Sequence, residues 1–147
     1  MSKLFKWIKG AIGTVIIVSA VLYFVGKAND AQWEKKRSSI NQDTYMSLSV
    51  AGEHDAVARH PDQQKGKMMY VTGTVGQVME NGNKVTLLIF DHANSLWYVT
   101  YRYADSEGRI LENDRITMYG ECTGTTTYKT VNGAQNTVPS LEGYFYR

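Results

Sequence analysis

Hydrophobic and polar positions divide the chain into three unlike stretches. From Gly10 to Gly26 (GAIGTVIIVSAVLYFVG) seventeen residues carry no charge between Lys9 and Lys27. Residues 27–52 are mostly polar and lack a sustained apolar period. From residue 53 onward the chain breaks into short alternating runs separated by glycine-rich turns.

The first stretch predicts a membrane-spanning helix. Seventeen helical residues reach roughly 25 Å, slightly short of the ~30 Å hydrocarbon core. Flanking residues extend it: Lys6 and Lys9 can snorkel to headgroups, Trp7 and Tyr23 suit the aromatic belt, and Lys27 closes the far side. The β-branched run Val15–Val18 is poor helix material in water, but lipid offers a backbone no alternative. Two other readings compete with a single-pass anchor. One is a cleaved signal peptide with Gly26-Lys27-Ala28 as the cleavage site, and the other a buried helix of a soluble domain. The short N-terminal segment favours a C-terminal domain outside the cytoplasm.

The remainder is expected as a basic flank (1–9), the span (10–26), a polar linker (27–52) and one β domain (53–147). Residues 53–60 (EHDAVARH) read as one short helix, acidic first and stopped by Pro61. Next, Met68–Glu80 alternates, with Met69, Val71 and Val75 on one face and Tyr70, Thr72 and Thr74 on the other. Gly73 and Gly76 inside so long a strand predict a bulge or sharp coil. Asn81-Gly82-Asn83 is a hairpin turn, and Lys84–Asp91 (KVTLLIFD) is apolar enough for a central strand. In Leu96–Tyr103, Trp97, Val99, Tyr101 and Tyr103 form the expected core face, opposite Leu96, Tyr98, Thr100 and Arg102. Shorter strands follow at Arg115–Cys122, Thr125–Val131, Thr137–Val138 and Leu141–Tyr146. Five or six such strands after one short helix predict a mainly β fold, a small five-stranded OB-like barrel, with an SH3-like barrel as runner-up.

Charge alters the functional picture more than composition does. Residues 1–59 carry eight Lys/Arg against five Asp/Glu, and residues 60–147 carry eight against nine. The basic excess therefore sits beside the expected membrane, and the β domain lacks the positive field that drives phosphate binding. Nucleic acid is not the expected partner. The single cysteine, Cys122, permits no internal disulfide and reads as a small buried hydrophobe.

Candidate chemistry is sparse. His54 and His60 are six residues apart, which does not stack them on one helix face. Glu112 and Asp114 between Arg109 and Arg115 read as turn-fixing charges paired with the arginines. No nucleophile–base pair, Walker loop or dinucleotide fingerprint is present, so a non-enzymatic protein without metal or cofactor is expected. The candidate binding face comprises Tyr70 and Thr72 with Tyr98 and Arg102, an aromatic–arginine combination on the strands OB barrels commonly use.

Two longer runs carry a resemblance. In VARHPDQQKGKMMYVTGTVGQVMENGNKV a helix and proline turn lead through Lys-Gly-Lys into Gly73-Thr74-Val75-Gly76-Gln77-Val78. In RILENDRITMYGECTGTTTYKTVNGAQNTVPSLEG the matching positions are Arg109, Leu111, Glu112, Asp114, Ile116, Tyr119, Gly120, Gly124, Tyr128, Gly133 and Pro139. Together they resemble a Firmicutes membrane-anchored OB-fold domain, the type found at the C-terminus of membrane-bound negative regulators of clostridial toxin expression. Such a resemblance implies an OB fold behind a membrane segment.

The expected function is a membrane-anchored binding module that recognises a protein or envelope partner at the cell surface. Prophage-related exclusion of superinfecting phage is one concrete form. The alternative is a cytoplasm-facing regulator that binds a transcription factor or single-stranded nucleic acid. A third reading is a structural subunit of a larger membrane assembly.

Overall fold

The computed structural model describes residues 31–104, 107–130 and 132–147. The span expected at 10–26 and its interface residues Lys6, Trp7, Lys9, Tyr23 and Lys27 lie outside them. Among the described residues no helix is long and apolar enough to cross a membrane. Two compact units are present, one ending at Asn41 and including Thr127–Thr137, the other Gln42–Thr126 with Val138–Arg147.

In the first unit residues 31–38 are helical. The Arg37 guanidinium lies 5.2 Å from the centre of the Trp33 ring, one turn away, at cation–π distance. Ser38 and Ser39 end the helix by donating hydroxyl hydrogen bonds to the carbonyls of Lys35 and Lys36. The hairpin end in this unit is closed by Thr130 N–H to Ala134 O and by Gly133 N–H to Thr130 O, with Gly133 at φ +80°.

The second unit holds a closed barrel. Its strands are β2 (Met68–Asn81), β3 (Lys84–Asp91), β4 (Leu96–Arg102), β5 (Arg115–Lys129) and β6 (Gln135–Tyr146). They follow the order β2-β3-β4-β6-β5, and β5 returns to pair with β2. All adjacent pairs with printed register are antiparallel except β4–β6, where Tyr98, Val99 and Thr100 face Ser140, Leu141 and Glu142 in parallel. That five-stranded Greek-key closure is OB-like. β2 makes closure possible because it is long enough to serve two partners. Residues 68–74 pair with β5 and residues 73–81 with β3, so Gly73 belongs to both ladders. A Cβ at Gly73 would run into the Phe90 carbonyl. The expected bulge is present: the register shifts between Val75 and Gln77, leaving Gly76 as the extra residue.

Alternation decides what the barrel encloses. Met69, Val71 and Val75 from β2, Val85, Leu87 and Ile89 from β3, and Trp97, Val99 and Tyr101 from β4 all join one buried cluster. From β5 come Ile116, Met118 and Cys122, the cysteine serving as a packed small side chain. Burial pushes its thiol pKa up, against the weaker pull of the Gly124 N–H and Lys67.

The expected polar linker requires correction. Within residues 27–52 lie the helical residues 31–38, helix α1 (Gln42–Leu48) and strand β1 (Val50–Ala51). Helix α1 exists because two adjacent apolar residues, Tyr45 and Met46, are both buried; seven residues would not hold a helix alone. The single expected helix is likewise one of several. α2 (His54–Arg59) ends ahead of Pro61, but Pro61 then opens α3 (Pro61–Gln64), where its fixed φ and missing N–H suit a first helical position.

Helix α2 has a particular task. Its Val57, fully buried, joins the barrel core. His54 sets its ring edge-on to Trp97 at 5.7 Å, and its Nε2 lies 3.0 Å from the Leu96 carbonyl. The end of the barrel near Trp97 is thus closed by a segment that precedes every barrel strand.

The strand ends also differ from expectation. β5 and β6 are single long strands instead of four short ones. The hydroxyl pairs Thr123–Ser140 (2.6 Å) and Thr127–Thr137 (2.7 Å) differ by one residue in register. The extra residue sits in β5, where Gly124 takes φ +88° and lets the strand continue.

Candidate binding surface

The outward positions of β3 and β4 are Thr86, Leu88, Tyr98, Thr100 and Arg102, the face that OB barrels commonly present to ligands. Here that face is covered. Thr86 is 8% exposed, Leu88 2%, Tyr98 8% and Arg102 5%. Burial pushes the Tyr98 hydroxyl pKa up, while a hydrogen bond with the Thr86 side chain acts in the opposite direction. Burial lowers the Arg102 pKa, and the carboxylate of Glu142 works against that. Tyr98 and Arg102 therefore occupy the strand face expected of them, but not as an open platform, which corrects their assignment as accessible binding residues.

Tyr70 and Thr72 are differently placed. Both lie on the outer face of β2, where Tyr70 is half-buried and Thr72 exposed. Across the ladder Tyr70 faces Tyr119 and Thr72 faces Thr117 on β5. The two tyrosine rings are 5.7 Å apart at 42°, and the threonine hydroxyls share a hydrogen bond of 2.8 Å. Thr117 and Tyr119 were not among the expected site residues. Their signal was present in RITMYG, where Ile116 and Met118 alternate inward and leave Thr117 and Tyr119 on the outer side. So the structure joins Tyr70 and Thr72 to a second pair and separates them from Tyr98 and Arg102.

Beside β5, helix α1 packs Tyr45 edge-on against Tyr144 (5.8 Å) and Phe145 (6.0 Å) of β6. Burial raises the pKa of both tyrosine hydroxyls, and the carboxylates of Glu121 and Glu142 raise them further. Tyr144 donates to Glu142 at 3.2 Å, whereas the buried Tyr45 hydroxyl has no hydrogen-bond partner among the described residues.

The remaining charged groups hold loops. Asp91 Oδ1 accepts the N–H groups of Ala93 and Ser95, both at 2.9 Å, and Oδ2 accepts Trp97 Nε1–H at 3.1 Å. Burial would raise the carboxyl pKa, but these donors and nearby His54 outweigh it and the net direction is down. Asp114 accepts the Leu111 N–H at 2.8 Å beside Asn113 at φ 73°, fixing the turn as expected. Arg109 does not pair with Glu112 or Asp114. Its Nε donates to Glu80 at 3.0 Å, and Nη2 bonds the other oxygen of the same carboxylate. Three tyrosines fasten the same connection: Tyr101 donates to Glu107, Tyr103 accepts the Ile110 N–H, and Tyr146 donates to Gly108 O. Among the described residues no three His, Cys, Asp or Glu side chains converge as metal ligands.

No protein-family model matches the chain, and no curated protein matches it. Solved structures do. A mitochondrial single-stranded DNA-binding protein from S. cerevisiae is 11% identical, with a TM-score of 0.40 over 56% of this chain and 91% of its own. Aspartyl-tRNA synthetase from Entamoeba histolytica is 12% identical, with a TM-score of 0.49 over 73% of this chain. A putative aspartyl-tRNA synthetase from Leishmania major Friedlin is 10% identical, with a TM-score of 0.43 over 99% of this chain. This chain spans only 23% and 25% of the two synthetases' own lengths.

Proposed function

We propose that this protein is a non-enzymatic OB-type binding module, tethered to the membrane by residues 10–26 with its barrel on the outer side, and that it recognises a protein or envelope partner. The observation that carries the binding surface is the contrast between the barrel faces: β3–β4 is covered, while Tyr70, Thr72, Thr117 and Tyr119 border solvent. Charge supports a partner other than nucleic acid. Residues 60–147 carry eight Lys/Arg against nine Asp/Glu, too few positive charges for binding driven by counterion release. The tether is supported by the uncharged run of residues 10–26 and the lysines on both sides of it. Blocking of superinfecting phage is one concrete role for such a module.

The second reading is a regulator facing the cytoplasm that binds single-stranded nucleic acid or a transcription factor. It is favoured by the paired rings of Tyr70 and Tyr119, since bases stack on aromatic side chains whatever their sequence.

Adding protease to intact cells that express the chain separates the two. Removal of the barrel without lysis is the expected result. Protection until lysis, together with submicromolar binding of the purified full chain to a labelled oligo-dT at physiological salt, would overturn the first reading in favour of the second.

A further inference from the structure

Strand β1 is the only strand with a single neighbour, and its hydrogen bonds show which way its free groups point. It pairs in parallel with β2, Val50 with Met69 and Ala51 with Tyr70. Gly52 N–H donates to the Tyr70 carbonyl at 2.9 Å. In a parallel pair the residue that bonds on both sides is here Tyr70, so the N–H and C=O of Ala51 are directed away from β2. Ala51 is exposed. An edge of this kind is a template for another strand.

Exposed apolar side chains gather at the same place. Among the described residues four large hydrophobics are exposed: Leu48 at 60%, Val50 at 56%, Met68 at 37% and Leu111 at 57%. Three of these four border β1, since Leu48 ends α1 two residues earlier and Met68 starts the strand with which β1 pairs. The surrounding charge has one sign. Residues 42–55 contain Asp43, Glu53 and Asp55 and no Lys or Arg.

From this juxtaposition we infer that the β1 edge is a docking strip for an extended segment of a protein partner. That segment adds a strand against Ala51, carries apolar residues at alternate positions to cover Leu48 and Val50, and has Lys or Arg at its flanks. Backbone hydrogen bonds from Ala51 fix its register, burial of the apolar side chains holds it, and the carboxylates select its basic ends. This rests on the proposed protein-binding reading and names the kind of segment that reading requires.

The test is selection from a displayed library of random twelve-residue peptides on the purified full chain in detergent. Val50→Lys and Ala51→Pro are the comparison variants. Proline removes the outward N–H and suits an edge position, while β2 does not use that N–H, so the barrel is expected to stay folded by circular dichroism. Enriched peptides are expected to alternate apolar residues between basic flanks, to lose at least tenfold affinity for each variant, and to slow hydrogen exchange at the Ala51 amide. Enrichment without such a pattern, or affinity indifferent to both variants, overturns the inference. So does a dimer in sedimentation that Val50→Lys dissolves, because the edge would then serve a second copy of the chain. Any of these failures leaves the protease and oligonucleotide results standing, so the inference can fail while the broader reading survives.

Discussion

The two outer faces of the barrel have similar compositions and different fates. On β3–β4 an apolar residue, a tyrosine and an arginine (Leu88, Tyr98, Arg102) are all buried. On β2–β5 two tyrosines and two threonines stand at the surface as cross-strand pairs. An aromatic residue beside an arginine therefore says little about binding until it is known which face is covered. The informative residue was Leu88. A strand that faces water on one side alternates, whereas KVTLLIFD is apolar on both sides and so requires a cover on each.

The largest expected effect tests whether the β3–β4 face is buried in solution. Leu88→Ala should cost about 2–5 kcal/mol in urea unfolding, as deletion of a buried leucine does. A cost no greater than that of a surface threonine would remove the contrast.

At the end of β3, Asp91→Asn should cost about 1–3 kcal/mol at neutral pH, because three donors lose their charged acceptor. The folded-state pKa of Asp91 lies below the unfolded one. The stabilisation is therefore complete above the usual carboxylate range and lost as pH falls through the depressed folded value. Wild type and variant should converge in acid, and a gap that persists there would contradict the ionised-acceptor account.

The open face should respond weakly. A double-mutant cycle of Tyr70→Ala and Tyr119→Ala should give a coupling of about 0.5–1.5 kcal/mol, the range for a ring pair. Zero coupling would mean that the two rings are independent in solution. Smallest of all, Thr72→Ala should stay within about 0.5 kcal/mol of wild type.

Much of the barrel was legible because period-2 alternation is a local signal. Met69, Val71 and Val75, then Trp97, Val99 and Tyr101, point inward as their spacing implies. The bulge at Gly76 was legible for the same kind of reason, since glycine inside a long strand has few other uses. Other features depend on partners distant in sequence. Helix α1 is anchored by Tyr45 against Tyr144 and Phe145, roughly a hundred residues later, so nothing near Tyr45 marks it as buried. Arg109 found Glu80 on another strand in preference to the carboxylates beside it in sequence. Of the expected site, Tyr70 and Thr72 kept their place at the surface, while Tyr119 and Thr117 became visible only once β2 and β5 were paired.

Val57 plugs the barrel end and precedes all five barrel strands in the chain. Tension entering from the N-terminus, the side on which a tether is proposed, therefore reaches β1 and α2 before any barrel strand. The load would draw the stopper from the vessel before pulling on its wall. A pull on the C-terminus meets β6 first, held between β4 and β5. The same fold thus offers two mechanical strengths, and the weaker one faces the membrane.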